Sequence, residues 1–281
     1  MKTLTRNLLT VGLVCLSVRQ AYISPIRNVR PRPTYTSVEA KGPDVAKADR
    51  RYVPRMRNLH GVSGNWAGYA IEATSAKTQN SSVTKVSGTW VVPTVVASDS
   101  PDTFSAAWIG IDGFNSNTVE QIGTEHDVIT GIPHYYAWFE LYPHPPIPLP
   151  ESAYPVFPGD VITASVEYLG NDQFRLTLVN TTRSWPFETT QTLKNAKRKS
   201  AEWIVEAPYG GGILPLANFS SVMFTGCGAS LNDLSGGIDN PNWQNEPIDM
   251  SISTTRGEVL LKADAYPLVG SDSFVVQWFN E

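Results

Sequence analysis

Cysteine is almost missing from this chain, which has only Cys15 and Cys227 among its 281 residues. Cys15 falls in an amino-terminal apolar run that reads as removable, so one thiol remains and no internal disulfide can form. A body of roughly 220 residues must stand on its core alone, and a chain of that size can. Charged residues are scarce too, at 17% of the chain. Residues 62–281 hold 10 Lys and Arg against 23 Asp and Glu, whereas residues 1–61 hold 12 against 3. Such an acidic body lacks the clustered cations that phosphate binding requires, which excludes a nucleic-acid partner. His126, His134 and His144 show no metal-ligand spacing, so neither a metal nor another cofactor is expected. No Gly-x-Ser-x-Gly elbow occurs, which leaves a serine hydrolase of that type unsupported. Long amphipathic helical patterns and fixed-period repeats are absent as well.

What is present divides the chain in three. Lys2 and Arg6 precede an apolar run from Leu8 to Val18, too short to span a bilayer comfortably and matching the charged and hydrophobic regions of a secretory signal. Cleavage is expected after Ser17 or Ala21. From Ser24 to Arg57 the chain is rich in Pro and Arg without apolar periodicity, as in a linker or propeptide. The expected organisation is a signal peptide over residues 1–21, a basic propeptide over 22–61 and a folded domain over 62–281. An exported monomer with no membrane attachment after processing follows, with its own oppositely charged leader as a partner.

The body reads as all-β. Ile162, Ala164, Val166 and Tyr168 alternate with Thr163, Ser165 and Glu167, and after a turn at Gly170-Asn171-Asp172 the residues Phe174, Leu176 and Leu178 alternate with Arg175 and Thr177. That is a hairpin with one wet face. Further short strands are expected at 66–71, 85–92, 106–111, 135–142, 201–206, 222–225, 251–254 and 273–279. Two packed antiparallel sheets, a β-sandwich, account for this pattern. Seven prolines between Tyr142 and Pro158 predict a stiff surface loop, since Pro is confined to edges and turns.

Three strands carry more than core patterning. In 135–142, Ala137, Phe139 and Leu141 point one way, while Tyr136, Trp138, Glu140 and Tyr142 form an aromatic and acidic face, as in the lining of a groove. In 106–113, Ala107, Ile109 and Ile111 suit a core and Trp108, Gly110 and Asp112 share the opposite face. In 201–206, Glu202, Ile204 and Glu206 oppose Trp203 and Val205. Glu202 and Glu206 stand roughly 13 Å apart along the strand, so only one of them can serve a given reaction centre.

Five segments, in order and spacing, resemble the glutamic peptidases, or eqolisins: Ser63-Gly64-Asn65-Trp66-Ala67-Gly68, Ala107-Trp108-Ile109-Gly110-Ile111-Asp112-Gly113, Val119-Glu120-Gln121-Ile122-Gly123, Tyr136-Ala137-Trp138-Phe139-Glu140-Leu141-Tyr142-Pro143 and Ala201-Glu202-Trp203-Ile204-Val205-Glu206. The resemblance covers residues 63–280. It implies a lectin/glucanase-like sandwich, secretion as a zymogen, and acid endopeptidase activity on polypeptides from a Gln/Glu dyad. Carried over by motif, the dyad is Gln121 and Glu206, with Trp108 beside it; the strand faces read above add Asp112, Tyr136, Trp138, Glu140 and Tyr142 to Trp108 as substrate-binding candidates. The chain departs from the family where Glu120-Gln121-Ile122-Gly123 stands for Leu-Gln-Thr-Gly, and where Ala207 and Pro208 follow Glu206.

The chemistry suits these residue types. Peptide hydrolysis needs a base for water, a donor for the oxyanion and an acid for the departing nitrogen. Glu206 can serve as the base and then the acid, and the Gln121 amide donates at any pH without titrating. An ionised base working in acid predicts an ordinary or lowered pKa for Glu206. The same architecture also hosts glycoside hydrolases and carbohydrate-binding modules, and Tyr136, Trp138 and Tyr142 beside Glu140 would serve either of them.

Overall fold

The computed structural model describes residues 61–72, 82–98, 100, 102–253 and 258–281. The expected signal peptide and nearly all of the expected propeptide, residues 1–60, lie outside the described residues. Those described form seventeen strands and no helix. In chain order these are β1 (Val62–Ser63), β2 (Trp66–Glu72), β3 (Val83–Val91), β4 (Asp102–Thr103), β5 (Ala106–Ile111), β6 (Val119–Ile129), β7 (Ile132–Tyr142), β8 (Ile147–Pro148) and β9 (Val161–Gly170). They continue with β10 (Gln173–Asn180), β11 (Trp185–Thr192), β12 (Ser200–Glu206), β13 (Ser221–Leu231), β14 (Leu234–Gly237), β15 (Gln244–Ser253), β16 (Val259–Ala265) and β17 (Phe274–Trp278).

One sheet runs β15-β2-β12-β5-β6-β7-β8, with β4 on the far end of β6. The other runs β16-β17-β13-β3-β9-β10-β11, with β14 paired to β13. The strands pair antiparallel except β1, which lies parallel to β15. β15 serves both sheets: residues 244–248 pair with β2, and 250–253 pair with β16. The all-β antiparallel sandwich expected from alternation is the architecture found.

The sheets meet through residues that alternate along each strand. Ile162, Ala164 and Val166 of β9 and Phe174, Leu176 and Leu178 of β10 are buried in one continuous core with Ala107, Ile109, Ile111, Trp203 and Val205 from the opposite layer. Two tryptophans cross between the layers and satisfy their indole N–H groups there. Trp203 Nε1 donates to the Ser87 carbonyl at 2.8 Å, and Trp90 Nε1 donates to Thr124 Oγ1 at 3.0 Å. Buried indoles need such partners. Gly88 makes room for Trp203, because a Cβ there would lie 2.9 Å from the indole.

The structure contains strands that alternation did not reveal. β6 is buried over Val119–Val128, yet Glu120, Gln121, Thr124, Glu125, His126 and Asp127 put polar groups on both of its faces. No hydrophobic period survives in such a segment. β11 starts Trp-Pro and alternates polar residues on an edge. The expected strand at 251–254 is the tail of the longer β15, and Thr254 lies outside the described residues.

Candidate active site

Cross-strand register places the site on the outer face of the first sheet. Directly opposed residues share a face, so Ala70, Glu202, Gly110, Gln121 and Glu140 form one row across β2, β12, β5, β6 and β7. The next row in the same direction is Gly68, Ile204, Trp108, Gly123 and Trp138, and the third is Trp66, Glu206, Ala106, Glu125 and Tyr136. Gln121 and Glu206 therefore stand diagonally to either side of Trp108. Both line a groove together with Glu125, Trp138, Glu140, Pro146, Pro208 and Tyr209.

Trp108 is fully buried and lies over backbone kept bare by glycines. A Cβ on Gly123 would come within 2.5 Å of the Trp108 Cβ, and one on Gly110 within 3.0 Å of its ring. From that seat Trp108 Nε1 donates to Glu206 Oε2 at 2.8 Å. Asn65 Nδ2 donates to Glu206 Oε1 at 3.1 Å. Trp66 packs edge-on against Trp108, with ring centroids 5.0 Å apart, and its indole adds a third favourable interaction with the Glu206 carboxylate. These donors pull the acid toward ionisation. Burial outweighs them, because Glu206 is only 6% exposed, and pushes its pKa up to about 8. The expectation of an ordinary or lowered value is thus corrected: withdrawal from water dominates the donors.

Gln121 is 1% exposed and donates through Nε2 to Glu140 Oε2 at 2.7 Å. That bond engages one of the two amide hydrogens. Glu140 is itself pushed well above the ordinary carboxylate range, first by burial and then by the Glu206 charge, with the Gln121 bond opposing.

The residues singled out in sequence divide by their surroundings. Gln121, Glu206, Glu140 and Trp138 line the groove, and Glu140 holds the Gln121 amide. Trp108 lies beneath it, bonded to Glu206. Tyr136 and Tyr142 are half-buried and pack against the cluster around Trp66, Trp108 and Trp138. Asp112 departs from the expected face. Its backbone turns to a φ of 69°, and its carboxylate accepts the N–H groups of Lys197, Arg198 and Lys199 at 2.6 to 2.8 Å. It anchors the loop before β12 and does not line the groove. Glu125, Pro146, Pro208 and Tyr209 also line the site. The alternation of β6 would have revealed Glu125 once Gln121 was placed. The others reach the groove from loops, on which period-2 reasoning is silent. The Pro-rich segment is more than a loop. Ile147–Pro148 pairs with Trp138 and Phe139 as the edge of the sheet, and Leu149 and Val156 are buried.

Among the described residues no group of three or more His, Cys, Asp or Glu could hold a metal ion. No curated protein matches this sequence. Among solved structures, scytalido-glutamic peptidase with a peptide-based transition-state analogue aligns with a TM-score of 0.62 at 23% identity, over 77% of this chain and 98% of that one. SCP-B, a member of the eqolisin family in complex with the tripeptide Ala-Ile-His, aligns at 0.58 and 22%, over 77% and 98%. Aspergilloglutamic peptidase from Aspergillus niger aligns at 0.51 and 26%, over 63% and 99%. The family model described as the Peptidase A4 family matches residues 64–276, and the chain belongs to that family, the glutamic peptidases.

Proposed function

We propose that this glutamic peptidase is an exported acid endopeptidase that cuts polypeptides with Glu206 as proton carrier and Gln121 as oxyanion donor. The observation that carries the reading is the placement of both side chains in one groove, on either side of Trp108. With a pKa of about 8, Glu206 is a carboxylic acid throughout the acid range. A neutral carboxyl both donates and accepts. As water adds to the scissile carbonyl carbon, one Glu206 oxygen takes the water proton while the Glu206 O–H passes its own proton to the carbonyl oxygen. The second N–H of Gln121 Nε2 polarises that oxygen and stabilises the charge that develops on it. Collapse of the diol reverses the roles. Glu206 protonates the nitrogen, a hydroxyl proton returns to Glu206, and the C–N bond breaks to give an acid and an amine. The carboxyl is neutral before and after, so acid does not quench it.

A glycosidase would need a second carboxyl working with Glu206. Glu125 and Glu140 line the groove with it, and Glu140 is engaged with Gln121. Residues 1–21 act in this reading as an export signal and 22–61 as a removable leader, held to the acidic body at neutral pH by opposite charge and released as carboxylates protonate. Incubation of the processed protein with a denatured protein from about pH 2 to about pH 9 tests the activity. The expected result is cleavage in acid that falls as pH rises through about 8, where Glu206 loses its proton. Cleavage that rises through that range overturns the proton shuttle, and cleavage retained by Glu206→Gln overturns the dyad.

A further inference from the structure

The first residues of the domain reach the site by a route that the dyad alone does not explain. Ser63 and Asn65 are both buried. Every polar group of Asn65 is engaged. Its N–H donates to Ser63 Oγ at 3.3 Å, its carbonyl accepts the Ala207 N–H at 2.8 Å, and its Oδ1 accepts the Ser63 hydroxyl at 3.2 Å. That last bond fixes the sense of the amide: with Oδ1 turned to Ser63, Nδ2 must face Glu206, where it donates at 3.1 Å. Ser63 Oγ also accepts the Trp66 N–H at 3.1 Å. Ser63 is in turn held by β1, which pairs with β15 through Val62↔Asp249 and Ser63↔Met250, and Asp249 N–H donates to the Gly61 carbonyl at 2.6 Å.

We infer that Asn65 is a positioning residue for Glu206, that Ser63 and β1 set Asn65, and that any maturation cut must therefore fall on the amino-terminal side of Ser63. The inference rests on the reading of Glu206 as the proton carrier. A side-chain amide is suited to this task because it donates to the carboxyl in either protonation state and never titrates. Its backbone bond to Ala207 and its side-chain bond to Glu206 brace two successive residues at the end of β12. A cut after Ser63 would remove the hydroxyl that orients the amide and the strand that holds the turn. The other titratable groups lining the groove around Glu206 are Glu125 of β6, Glu140 of β7 and Tyr209 of the loop after β12, and substitutions at Ser63 and Asn65 leave all three in place.

The test uses the full chain carrying Asn65→Leu, Asn65→Asp, Ser63→Ala or Ser63→Thr, with Glu206→Gln in parallel. Turnover and KM on a peptide are measured from about pH 3 to about pH 9, and the amino terminus of the active species is sequenced. Asn65→Leu is expected to lower kcat by up to about 100-fold, the scale of a small misplacement of a reacting group, with KM little changed. The limb set by Glu206 should move to higher pH, because the Asn65 bond favours the ionised acid. Asn65→Asp should work in acid, where a protonated Asp still donates, and fail at the higher pH where the buried Asp ionises and repels Glu206. Ser63→Ala should show a smaller loss in the same direction, and Ser63→Thr should restore it. The active species should begin at or before Ser63. Normal kcat and an unchanged pH profile in Asn65→Leu, with Glu206→Gln inactive, overturn the inference and leave the dyad standing. Activity in Glu206→Gln removes the dyad reading instead. If Asn65→Leu does not fold, the Ser63 pair and Asn65→Asp decide. An active species beginning at Gly64 or later overturns the placement of the cut.

Discussion

The two faces of β12, β5, β6 and β7 are both shielded from water, yet they are built on different chemistry. The inner face carries Trp203, Val205, Ala107, Ile109, Ile111, Ile122, Ala137 and Phe139. The outer face carries Glu202, Glu206, Gln121, Glu125 and Glu140 around Trp108 and Trp138, with burial nearly as complete. Burial alone therefore does not make a hydrophobic core. On the outer face, carboxyls and an amide are closed over by indoles, and the removal of water raises Glu140, Glu202 and Glu206 above the ordinary carboxylate range.

The largest expected effect comes from breaking the outer face at its reacting groups. Glu206→Gln should abolish cleavage, and Gln121→Ala should cost about 100- to 1,000-fold in rate, the scale of one lost oxyanion donor. Melting temperatures should stay close to the parent. The mirror experiment is Ile109→Ala on the inner face, which should cost about 2–5 kcal/mol of stability and leave the pH profile of cleavage unchanged. If Ile109→Ala shifted the profile, or Glu206→Gln unfolded the sheet, the two faces would not be separable.

A second expectation concerns stability against pH. Burial raises Glu120, Glu140 and Glu202 well above the ordinary carboxylate range, and raises Glu206 to about 8. A group raised in the fold contributes stability that is whole below the unfolded-state value of about 4.3 and is lost as pH climbs through the folded value. The melting temperature should therefore fall between about pH 5 and about pH 9. Glu202→Gln, which cannot ionise, should flatten that fall. An identical slope in the variant would mean that Glu202 ionises as freely in the fold as outside it.

One inner-face residue, His126, carries the opposite dependence. His126 is completely buried, its Nε2 lies 2.8 Å from Thr124 Oγ1, and burial lowers its pKa to about 3. Its contribution is whole above the unfolded value of about 6.5 and declines as pH falls toward about 3, because only the unfolded chain gains the proton over that interval. His126→Gln should narrow the stability difference between about pH 6.5 and about pH 3, as read by thermal melts at each pH. The smallest effect is expected at the rim. Pro146 lines the groove, so Pro146→Gly should alter which peptide bonds are cut, seen by mass spectrometry of the products, more than it alters the melting temperature.

The inner face was legible in the sequence because period 2 is a hydrophobic signal. Ala106–Ile111 and the hairpin at 161–180 sit where alternation placed them. The outer face was legible only through motifs. Gln121 lies on a strand whose residues are polar on both sides, so only the segment around it marked it out. Asn65 lies within the Ser63–Gly68 motif, but an amide between Gly and Trp has no pattern of its own that would assign it a role. Asp112 was misplaced because alternation presumes that the strand continues, and its positive φ ends β5 one residue earlier. Tyr209 and Pro146 come from loops whose path follows from tertiary closure. The pKa of Glu206 was out of reach for a similar reason: it depends on how completely Trp108, Trp66 and their neighbours exclude water.

One strand described earlier governs when this site can exist. β15 pairs with β2 at Glu72↔Gln244 and with β1 at Val62↔Asp249, joining opposite ends of the domain's sequence. Pairings of such separation carry a high loop-closure cost and slow folding. During synthesis β1 waits for a partner made near the end of the domain, although β2 can pair earlier with β12. The turn that holds Glu206 is anchored on that late pairing, so proteolytic competence should appear only once the whole domain has emerged and closed, and a nascent chain stays harmless to itself and its neighbours until then.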